Sequence, residues 1–303
     1  MFKYMKYIRQ SVTYFFVAFC FMFVAGCSFQ KEVNAEKLGA GAAIAVETKS
    51  GIILFKRNAD KRFPPASTAK VMTAIIAIER LPLDTEITPS PNSLAVEPSK
   101  AGLKEGVNYK LEDLLAALLI KSANDAAVAI AEKIAVSEEK FAGLMNRKAF
   151  QLGMYNTRFA TASGLPSGVK DSQYTTVKDL AKMMKYASKY RFIIEMMSNP
   201  DKYISGSDGQ KIYLRTHNQT LLRGKEKAWG KTGFTREAKR TFVGIEPAYG
   251  SRIIFALLYS DDLWNDISVL KIKGIELVQA RQDLVSERGV LYKAFDWLRR
   301  DKI

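Results

Sequence analysis

Ser67 and Lys70 have the residue types and spacing that nucleophilic chemistry needs, and they lie in the run Phe63-Pro-Pro-Ala-Ser-Thr-Ala-Lys70. A serine hydroxyl three residues before an amine suits acyl transfer in which lysine, rather than histidine, takes the proton. Only this serine follows two prolines and precedes an apolar helical pattern. The pattern alone is weak because Ser-x-x-Lys recurs along the chain, at Ser28/Lys31, Ser67/Lys70, Ser137/Lys140, Ser167/Lys170 and Ser268/Lys271.

Lys70 can act as a base only if its amine is neutral. A free lysine has a pKa of about 10.4, so burial or a neighbouring cation must lower the pKa of Lys70 towards ~7–8, and Lys231 is the candidate cation. The i,i+3 spacing places Ser67 and Lys70 on one helix face, where the positive end of the helix dipole favours the anionic form of Ser67. The single histidine, His217, has no Gly-x-Ser-x-Gly motif beside it, so we expect it to be structural or exposed.

Two further motifs carry polar side chains at short breaks between elements. Lys121-Ser-Ala-Asn-Asp125 lies between two predicted helices, where Asn124 or Asp125 could equally serve as a helix cap. Trp229-Gly-Lys-Thr-Gly-Phe-Thr235 precedes a pair of predicted strands, where Gly233 would let a substrate backbone approach closely; an ordinary turn is the alternative. Ser122 follows Ser67 by 55 residues, and Lys231 follows Ser122 by 109 residues.

In this order and spacing the motifs resemble those of the penicillin-recognising serine enzymes, and in particular the low-molecular-mass D-alanyl-D-alanine carboxypeptidases. The resemblance extends from about Gly39 to Glu276. It implies hydrolysis of the terminal D-Ala-D-Ala bond of peptidoglycan stem peptides in cell-wall remodelling, with inhibition by β-lactams and no metal or cofactor. Four stretches carry it: Phe63-Pro-Pro-Ala-Ser-Thr-Ala-Lys70, Leu118-Leu-Ile-Lys-Ser-Ala-Asn-Asp-Ala-Ala127, Phe141-Ala-Gly-Leu-Met-Asn146 and Gly230-Lys-Thr-Gly-Phe-Thr235.

The same resemblance implies a role for each motif residue. Ser67 attacks the carbonyl between the two D-alanines, and Ser122 relays a proton to the departing D-alanine. Asn124 orients Lys70 and holds the substrate amide. The side chains of Lys231 and Thr232 bind the terminal carboxylate. The backbone N–H groups of Ser67 and Phe234 form the oxyanion hole.

The elements that must position these residues follow from hydrophobic spacing. Apolar β-prone runs at 40–47 and 51–57 predict a hairpin, and apolar residues at helical spacing predict a buried helix over 67–81. Residues 82–109 are rich in Pro, Ser and Gly and predict a long irregular connection. The other predicted elements are helices at 111–120, 125–134, 137–153, 176–190 and over much of 264–300, a loop at 161–174, and strands at 241–246 and 252–260 joined by a turn at 247–250.

Strands near both ends with helices between them predict an α+β fold whose sheet brings the two ends together. The family resemblance makes this fold β-lactamase/transpeptidase-like, with an antiparallel sheet flanked by helices and a largely helical subdomain. We assign the catalytic domain to residues 39–303 and expect no C-terminal β-domain.

The first residues are typical of an exported lipoprotein. Three basic residues precede an apolar run over 12–26, which is short for a membrane span and typical of a secretory signal. The run ends in Val24-Ala-Gly-Cys27, which resembles a bacterial lipobox, and lipidation would explain a single cysteine left after cleavage. We expect a signal peptide at 1–26, with an uncleaved signal anchor as the alternative. A tether at 27–38 would then hold the enzyme on the outer side of the bacterial cytoplasmic membrane or in the periplasm.

The chain is strongly basic, with a formal net charge of +15. Outside a bacterial cell this charge favours anionic wall polymers and lipid headgroups as partners, rather than nucleic acid. A membrane contact through Cys27 fits the same location.

Some residues depart from the family pattern and leave alternatives open. Many relatives carry His or Asn where this chain has Ser163-Gly-Leu165, and Ala-Gly-x-Cys where it has Ala238-Lys-Arg-Thr241. A β-lactamase of the same fold is disfavoured because residues 158–178 contain no glutamate, and Asp171 is their only carboxylate before the helix that starts near 176. A DD-endopeptidase, a DD-transpeptidase and a lipoprotein that binds wall peptides without turnover remain alternatives.

Overall fold

The computed structural model describes residues 38–169, 173–223, 228–248 and 250–300. The predicted signal peptide and, except for Leu38, the predicted tether with Cys27 lie outside the described residues, as do Asp171 and Tyr249. In the described part of the chain, no helix is long and apolar enough to cross a membrane.

One antiparallel sheet of five strands forms the scaffold, in the spatial order β2-β1-β9-β8-β7, and two short antiparallel pairs, β3-β4 and β5-β6, lie apart from it. In chain order, the strands are β1 (Ala42–Glu47), β2 (Ile53–Arg57), β3 (Glu86–Ile87), β4 (Tyr109–Lys110), β5 (Asp201–Ser205), β6 (Lys211–Arg215), β7 (Gly230–Thr235), β8 (Lys239–Ala248) and β9 (Ser251–Ser260).

The helices pack on both faces of this sheet. In chain order they are α1 (Lys70–Arg80), α2 (Pro91–Ala95), α3 (Leu111–Leu119), α4 (Asn124–Ala135), α5 (Glu138–Gln151), α6 (Val177–Ala187), α7 (Arg191–Ser198), α8 (Gln219–Arg223) and α9 (Leu263–Arg300).

The central strands are buried on both sides because successive side chains of a strand point to opposite faces. Ile254 and Ala256 of β9 belong to the larger core formed with the helices that follow β2, whereas Ile253 and Phe255 pack in a second core against α9. The continuous apolar runs in β8 and β9 therefore contribute side chains to both hydrophobic cores, one on each face of the sheet. The α+β architecture predicted from the sequence is confirmed.

The first and last strands of the sheet are neighbours, as expected. β1 pairs with β2 on one side and with β9 on the other, so Ala43 lies opposite both Arg57 and Leu257. This pairing brings the beginning and the end of the described domain into one sheet and leaves β7 at the opposite edge.

Helix α1 is the central helix of the larger core. Every residue from Lys70 to Ala77 is buried, which is typical of a helix that is packed on all sides. The prediction of one helix over 67–81 is wrong at its start, because residues 66–69 form a 3-10 turn and the α-helix begins at Lys70. The tighter turn has a local cause: the Thr68 hydroxyl and N–H both donate to the backbone oxygen of Pro65, at 2.6 and 3.3 Å.

Sequence patterns missed several short elements between 82 and 230. The 82–109 connection contains β3, α2 and the start of β4, and the stretch before β7 contains α7, the β5–β6 hairpin and α8. The hairpin buries only Ile204 and Leu214 on one face, so its alternating pattern is short. Such elements are stabilised by tertiary contacts rather than by strong local periodicity.

Candidate active site

Ser67 lies in the 3-10 turn directly before α1, where the backbone brings its side chain out of the core. Ala66, directly before it, has φ +46°, a left-handed conformation that alanine rarely adopts. Backbone strain of this kind persists only where the surrounding structure enforces it, and it is concentrated at functional sites. The next turn of backbone places Lys70 under Ser67, with Lys70 Nζ 3.0 Å from Ser67 Oγ.

The Lys70 amine is buried and has three polar neighbours. Its Nζ lies 2.6 Å from Asn124 Oδ1, 2.7 Å from the backbone oxygen of Ser163 and 3.0 Å from Ser67 Oγ. Burial, and then the positive charge of Lys231, hold the pKa of Lys70 well below its usual range. A neutral amine has two hydrogens and one lone pair. Because Asn124 and Ser163 offer only acceptor oxygens, the lone pair is directed to the Ser67 hydroxyl.

Ser122 and Lys231 form a second serine–lysine pair across the site. Lys231 Nζ donates to Ser122 Oγ at 2.9 Å and to the backbone oxygen of Thr232 at 2.7 Å. Burial lowers the pKa of Lys231 to about 7. Ser122 also has a left-handed backbone, φ +62°, which turns its side chain towards the cavity from the short gap between α3 and α4.

Neither Asn124 nor Asp125 is the cap of α4, so that alternative is wrong; Ala123 occupies the cap position. Asn124 Nδ2 donates to the backbone oxygen of Glu97 at 2.8 Å, which fixes the amide so that its oxygen faces Lys70. The Asp125 carboxylate accepts hydrogen bonds from the backbone N–H groups of residues 101–103. Both side chains therefore hold the 97–103 loop against the site.

The third motif is itself the edge strand β7, whereas the sequence had placed it before a strand pair. Gly233 of this strand packs directly on the nucleophile segment: a Cβ there would lie 2.7 Å from the Ser67 nitrogen and 2.4 Å from Thr241 Oγ1. Thr241 is opposite Gly233 in β8 and donates to the backbone oxygen of Pro65 at 3.2 Å. The absence of a side chain at Gly233 thus lets β7 run beside Ser67, with Phe234 next along the edge.

The loop before α6 completes the surroundings of Lys70. Gly164 has φ +79°, and a Cβ on it would lie 1.9 Å from the backbone oxygen of Ala66. The Thr73 hydroxyl donates to the backbone oxygen of Ala162 at 2.7 Å, and Gln173 Nε2 donates to that of Leu165 at 2.7 Å. These contacts place the Ser163 oxygen on the Lys70 amine.

A cavity of about 280 Å³ opens in front of Ser67. Six of the predicted site residues line it: Ser67, Ser122, Asn124, Thr232, Gly233 and Phe234. Lys70 and Lys231 lie beneath it, with their side chains buried.

Two titratable residues of the cavity wall, His217 and Arg240, were not among the predicted site residues, although the sequence had marked Arg240 as a departure from the family pattern. His217 is exposed, as expected, but its ring also borders the cavity. Loss of solvent there, with the charges of Lys231 and Lys121, lowers the pKa of His217. Two sequence features could have pointed to these residues. The Lys239-Arg240 pair follows the third motif, and the single histidine lies shortly before that motif.

Among the described residues, no group of three or more His, Cys, Asp or Glu side chains is placed to hold a metal ion. The chemistry that this arrangement supports is serine acylation with lysine as the base. Cys27, the predicted lipidation site, lies outside the described residues.

Known proteins resemble this chain in sequence and in structure. The model of the peptidase S11 family, D-alanyl-D-alanine carboxypeptidase, matches residues 29–261. D-alanyl-D-alanine carboxypeptidase DacB2 of Mycobacterium tuberculosis is 31% identical over 216 residues, which cover 71% of this chain and 73% of that protein. The Streptomyces K15 DD-transpeptidase structure superposes with a TM-score of 0.72 and 27% identity, covering 80% of this chain and 98% of that one.

The D-alanyl-D-alanine carboxypeptidase DacF of Bacillus subtilis is also 31% identical, over 205 residues. The match covers 66% of this chain and 52% of DacF, so the chain spans about half the length of that relative.

Proposed function

The chain belongs to the D-alanyl-D-alanine carboxypeptidases of peptidase family S11, and from this membership we propose that it removes the terminal D-alanine of peptidoglycan stem peptides. One observation carries the proposal. The Lys70 amine has acceptors for both of its hydrogens, at Asn124 and Ser163, and keeps its lone pair for Ser67 Oγ at 3.0 Å.

Acylation follows from this geometry. Ser67 Oγ attacks the carbonyl carbon between the two D-alanines while its proton passes to Lys70 Nζ. The carbonyl oxygen takes the negative charge and is bound by the backbone N–H groups of Ser67 and Phe234. Because β7 is an edge strand, the substrate backbone can lie along it as an added strand, and Gly233 lets that edge run directly beside Ser67.

Departure of D-alanine requires a proton on its nitrogen. Ser122 supplies this proton from its hydroxyl, and Lys231 Nζ, 2.9 Å away and with a pKa of about 7, replaces it. Water then hydrolyses the ester on Ser67 and releases the shortened stem peptide.

Two related reactions differ only in what reacts with the acyl-enzyme. A similar structure is named a DD-transpeptidase, in which an amine replaces water. A β-lactamase would need fast hydrolysis of the penicilloyl ester, for which its class uses a loop glutamate, whereas residues 158–178 contain no glutamate and have Asp171 as their only carboxylate. We therefore propose that β-lactams inhibit this enzyme by slow release.

The assignment is tested with the purified full chain in detergent and its Ser67→Ala variant. We expect release of D-alanine from a peptide ending in D-Ala-D-Ala and stable labelling by a fluorescent penicillin, both lost in Ser67→Ala. A Ser137→Ala variant, which alters another Ser-x-x-Lys pair, should keep both. Labelling that survives Ser67→Ala, or rapid turnover of penicillin by the unmodified protein, would refute the proposal.

We also propose that Cys27 carries a lipid and anchors the enzyme on the outer side of the cytoplasmic membrane or in the periplasm. The lipobox-like run before Cys27 supports this. Uptake of labelled fatty acid should be lost in Cys27→Ser and kept in Cys20→Ser. Equal labelling of both variants would contradict the proposal.

A further inference from the structure

The loop that supplies the third neighbour of the Lys70 amine is itself held by the first residue of α5, Glu138. Lys70 Nζ lies 2.7 Å from the backbone oxygen of Ser163. Just before this oxygen in the chain, the Ala162 N–H donates to Glu138 Oε1 at 2.8 Å. The Ser163 N–H is close enough to stabilise the charged form of the same carboxylate. One side chain therefore fixes the backbone segment that contacts the catalytic amine.

The start of α5 gives the Glu138 carboxylate a defined position. Ser137 is the N-cap of this helix, and its hydroxyl accepts from the Lys140 N–H at 3.2 Å. A carboxylate in the first turn of a helix is stabilised by the positive end of the helix dipole. The local sequence thus favours an ionised Glu138 at the point where α5 meets the loop.

Glu138 lies behind the loop, away from the substrate. It borders another cavity, of about 760 Å³, whose wall also contains Glu97, Glu139 and Arg158. The Glu138 side chain is partly exposed there, so water can reach it. Because the Lys70 amine is on the other side of the loop backbone, Glu138 acts on it through that backbone and through its charge.

Charged groups influence the Lys70 amine from three neighbouring elements. Burial and then the charge of Lys231, on β7, lower the pKa of Lys70. Glu138 on α5 and then Asp125 on α4 act in the opposite direction. Burial in turn raises the pKa of Glu138; the two loop N–H groups oppose this by stabilising the carboxylate, and the charge of Glu132 adds to it.

We infer that Glu138 is a positioning residue for the reaction: its carboxylate holds the Ser163 oxygen on Lys70 and places one negative charge behind that amine. The charge stabilises the ammonium that forms when Lys70 takes the proton of Ser67, and so makes Lys70 a stronger base. Since the carboxylate does not contact the amine, it raises the pKa less than a directly bonded carboxylate would. This inference rests on the proposed function and adds the residue that sets the pH range of the acylation step.

Glu138→Gln separates the two effects, because the amide oxygen can still accept from the Ala162 N–H while the charge is lost. In the pH profile of penicillin acylation, the rise on the acid side should move to lower pH by about 0.5 to 1.5 pH units, and the rate at high pH should fall about 2- to 10-fold. Glu138→Ala also loses the acceptor and should slow acylation at least 10-fold at every pH. Glu139→Gln, at an exposed position in the same cavity wall, should change neither the profile nor the rate.

The pKa of Lys70 is measured directly in the same variants by NMR titration of ¹³C-labelled lysine side chains, with Lys70→Arg to assign the signal. It should fall in Glu138→Gln and stay unchanged in Glu139→Gln. If the unmodified protein neither releases D-alanine nor reacts with penicillin, the proposed function fails, and this titration alone decides the inference. An unchanged pKa or pH profile in Glu138→Gln, or an equal change in Glu139→Gln, would overturn the role of Glu138.

Discussion

The amide oxygen of Asn124 lies 2.6 Å from Lys70 Nζ, and the nitrogen of the same amide is held by the backbone oxygen of Glu97 at 2.8 Å. The second contact fixes the orientation of the first. Asn124 therefore offers Lys70 an acceptor without negative charge, which is what a neutral catalytic amine requires.

Asn124→Asp should place a carboxylate beside Lys70 and raise the pKa of that lysine. Lys70 accepts a proton only when it is neutral. In the pH profile of the acylation rate, the rise on the acid side should therefore move to higher pH, by about one to three units. Penicillin acylation rates measured from pH 5 to 10 check this. Asn199→Asp, which adds the same charge away from the site, should leave the profile unchanged; an unshifted limb in Asn124→Asp would show that Lys70 is not the base.

Burial of Lys231 should make the stability of the fold depend on pH. Its pKa in the folded protein is about 7, below the ordinary 10.5, so between these values the unfolded chain binds more protons than the folded protein. The free energy of unfolding therefore rises with pH over this window and is reduced as pH falls through it.

Lys231→Met should reduce this rise, by up to about 1.4 kcal/mol per pH unit, which corresponds to one proton. Urea unfolding at pH 7, 8.5 and 10 measures the slope. Lys133→Met, at an exposed position of α4, serves as the control. A slope that is the same in both variants would contradict the lowered pKa of Lys231.

Gly164→Ala should damage both the fold and the site, because the new Cβ would lie 1.9 Å from the backbone oxygen of Ala66. Gly168→Ala is a matched control in the same loop, with φ +80° against +79° and nothing within 4 Å of its Cβ position. The control should cost only the left-handed conformation, about 1 kcal/mol.

Gly164→Ala should cost several kcal/mol more and slow acylation at least 10-fold, since the shifted loop withdraws the Ser163 oxygen from Lys70. Thermal unfolding and penicillin labelling measure the two effects. Similar behaviour of the two variants would mean that the loop does not pack on Ala66 as described.

Asp125→Ala should destabilise the domain by about 3 kcal/mol or more. The substitution leaves backbone N–H groups at 101–103 without their carboxylate partner, and buried donors without partners are costly. Asp60→Ala removes an exposed carboxylate paired with Lys178 and should cost less than about 1 kcal/mol. Denaturant unfolding of both variants is the measurement, and equal midpoints would refute the proposed anchoring of the loop.

Strong local patterns predicted most of the large elements. The apolar spacing of α1, the alternating and continuous apolar runs of β1, β8 and β9, and the gap before α4 all appear in the structure close to where the sequence placed them. The errors lie where tertiary contacts dominate: the 3-10 turn at 66–69 depends on the Pro65 oxygen, and the β5–β6 hairpin buries few residues.

The sequence by itself determined which residue types are available and in what order: a serine and a lysine on one helix face, a Ser-x-Asn gap and a Lys-Thr-Gly strand. These features are local, and their family spacing is readable without a structure. The family resemblance implied that Asn124 orients Lys70, 54 residues away. Only the tertiary structure decided that Lys70 also meets the Ser163 oxygen, 93 residues away, that Lys231 is engaged by Ser122 and that Arg240 lines the cavity. The physical reason is that burial, the proximity of other charges and hydrogen-bond partners are set by packing between distant segments, and these determine the pKa of each lysine.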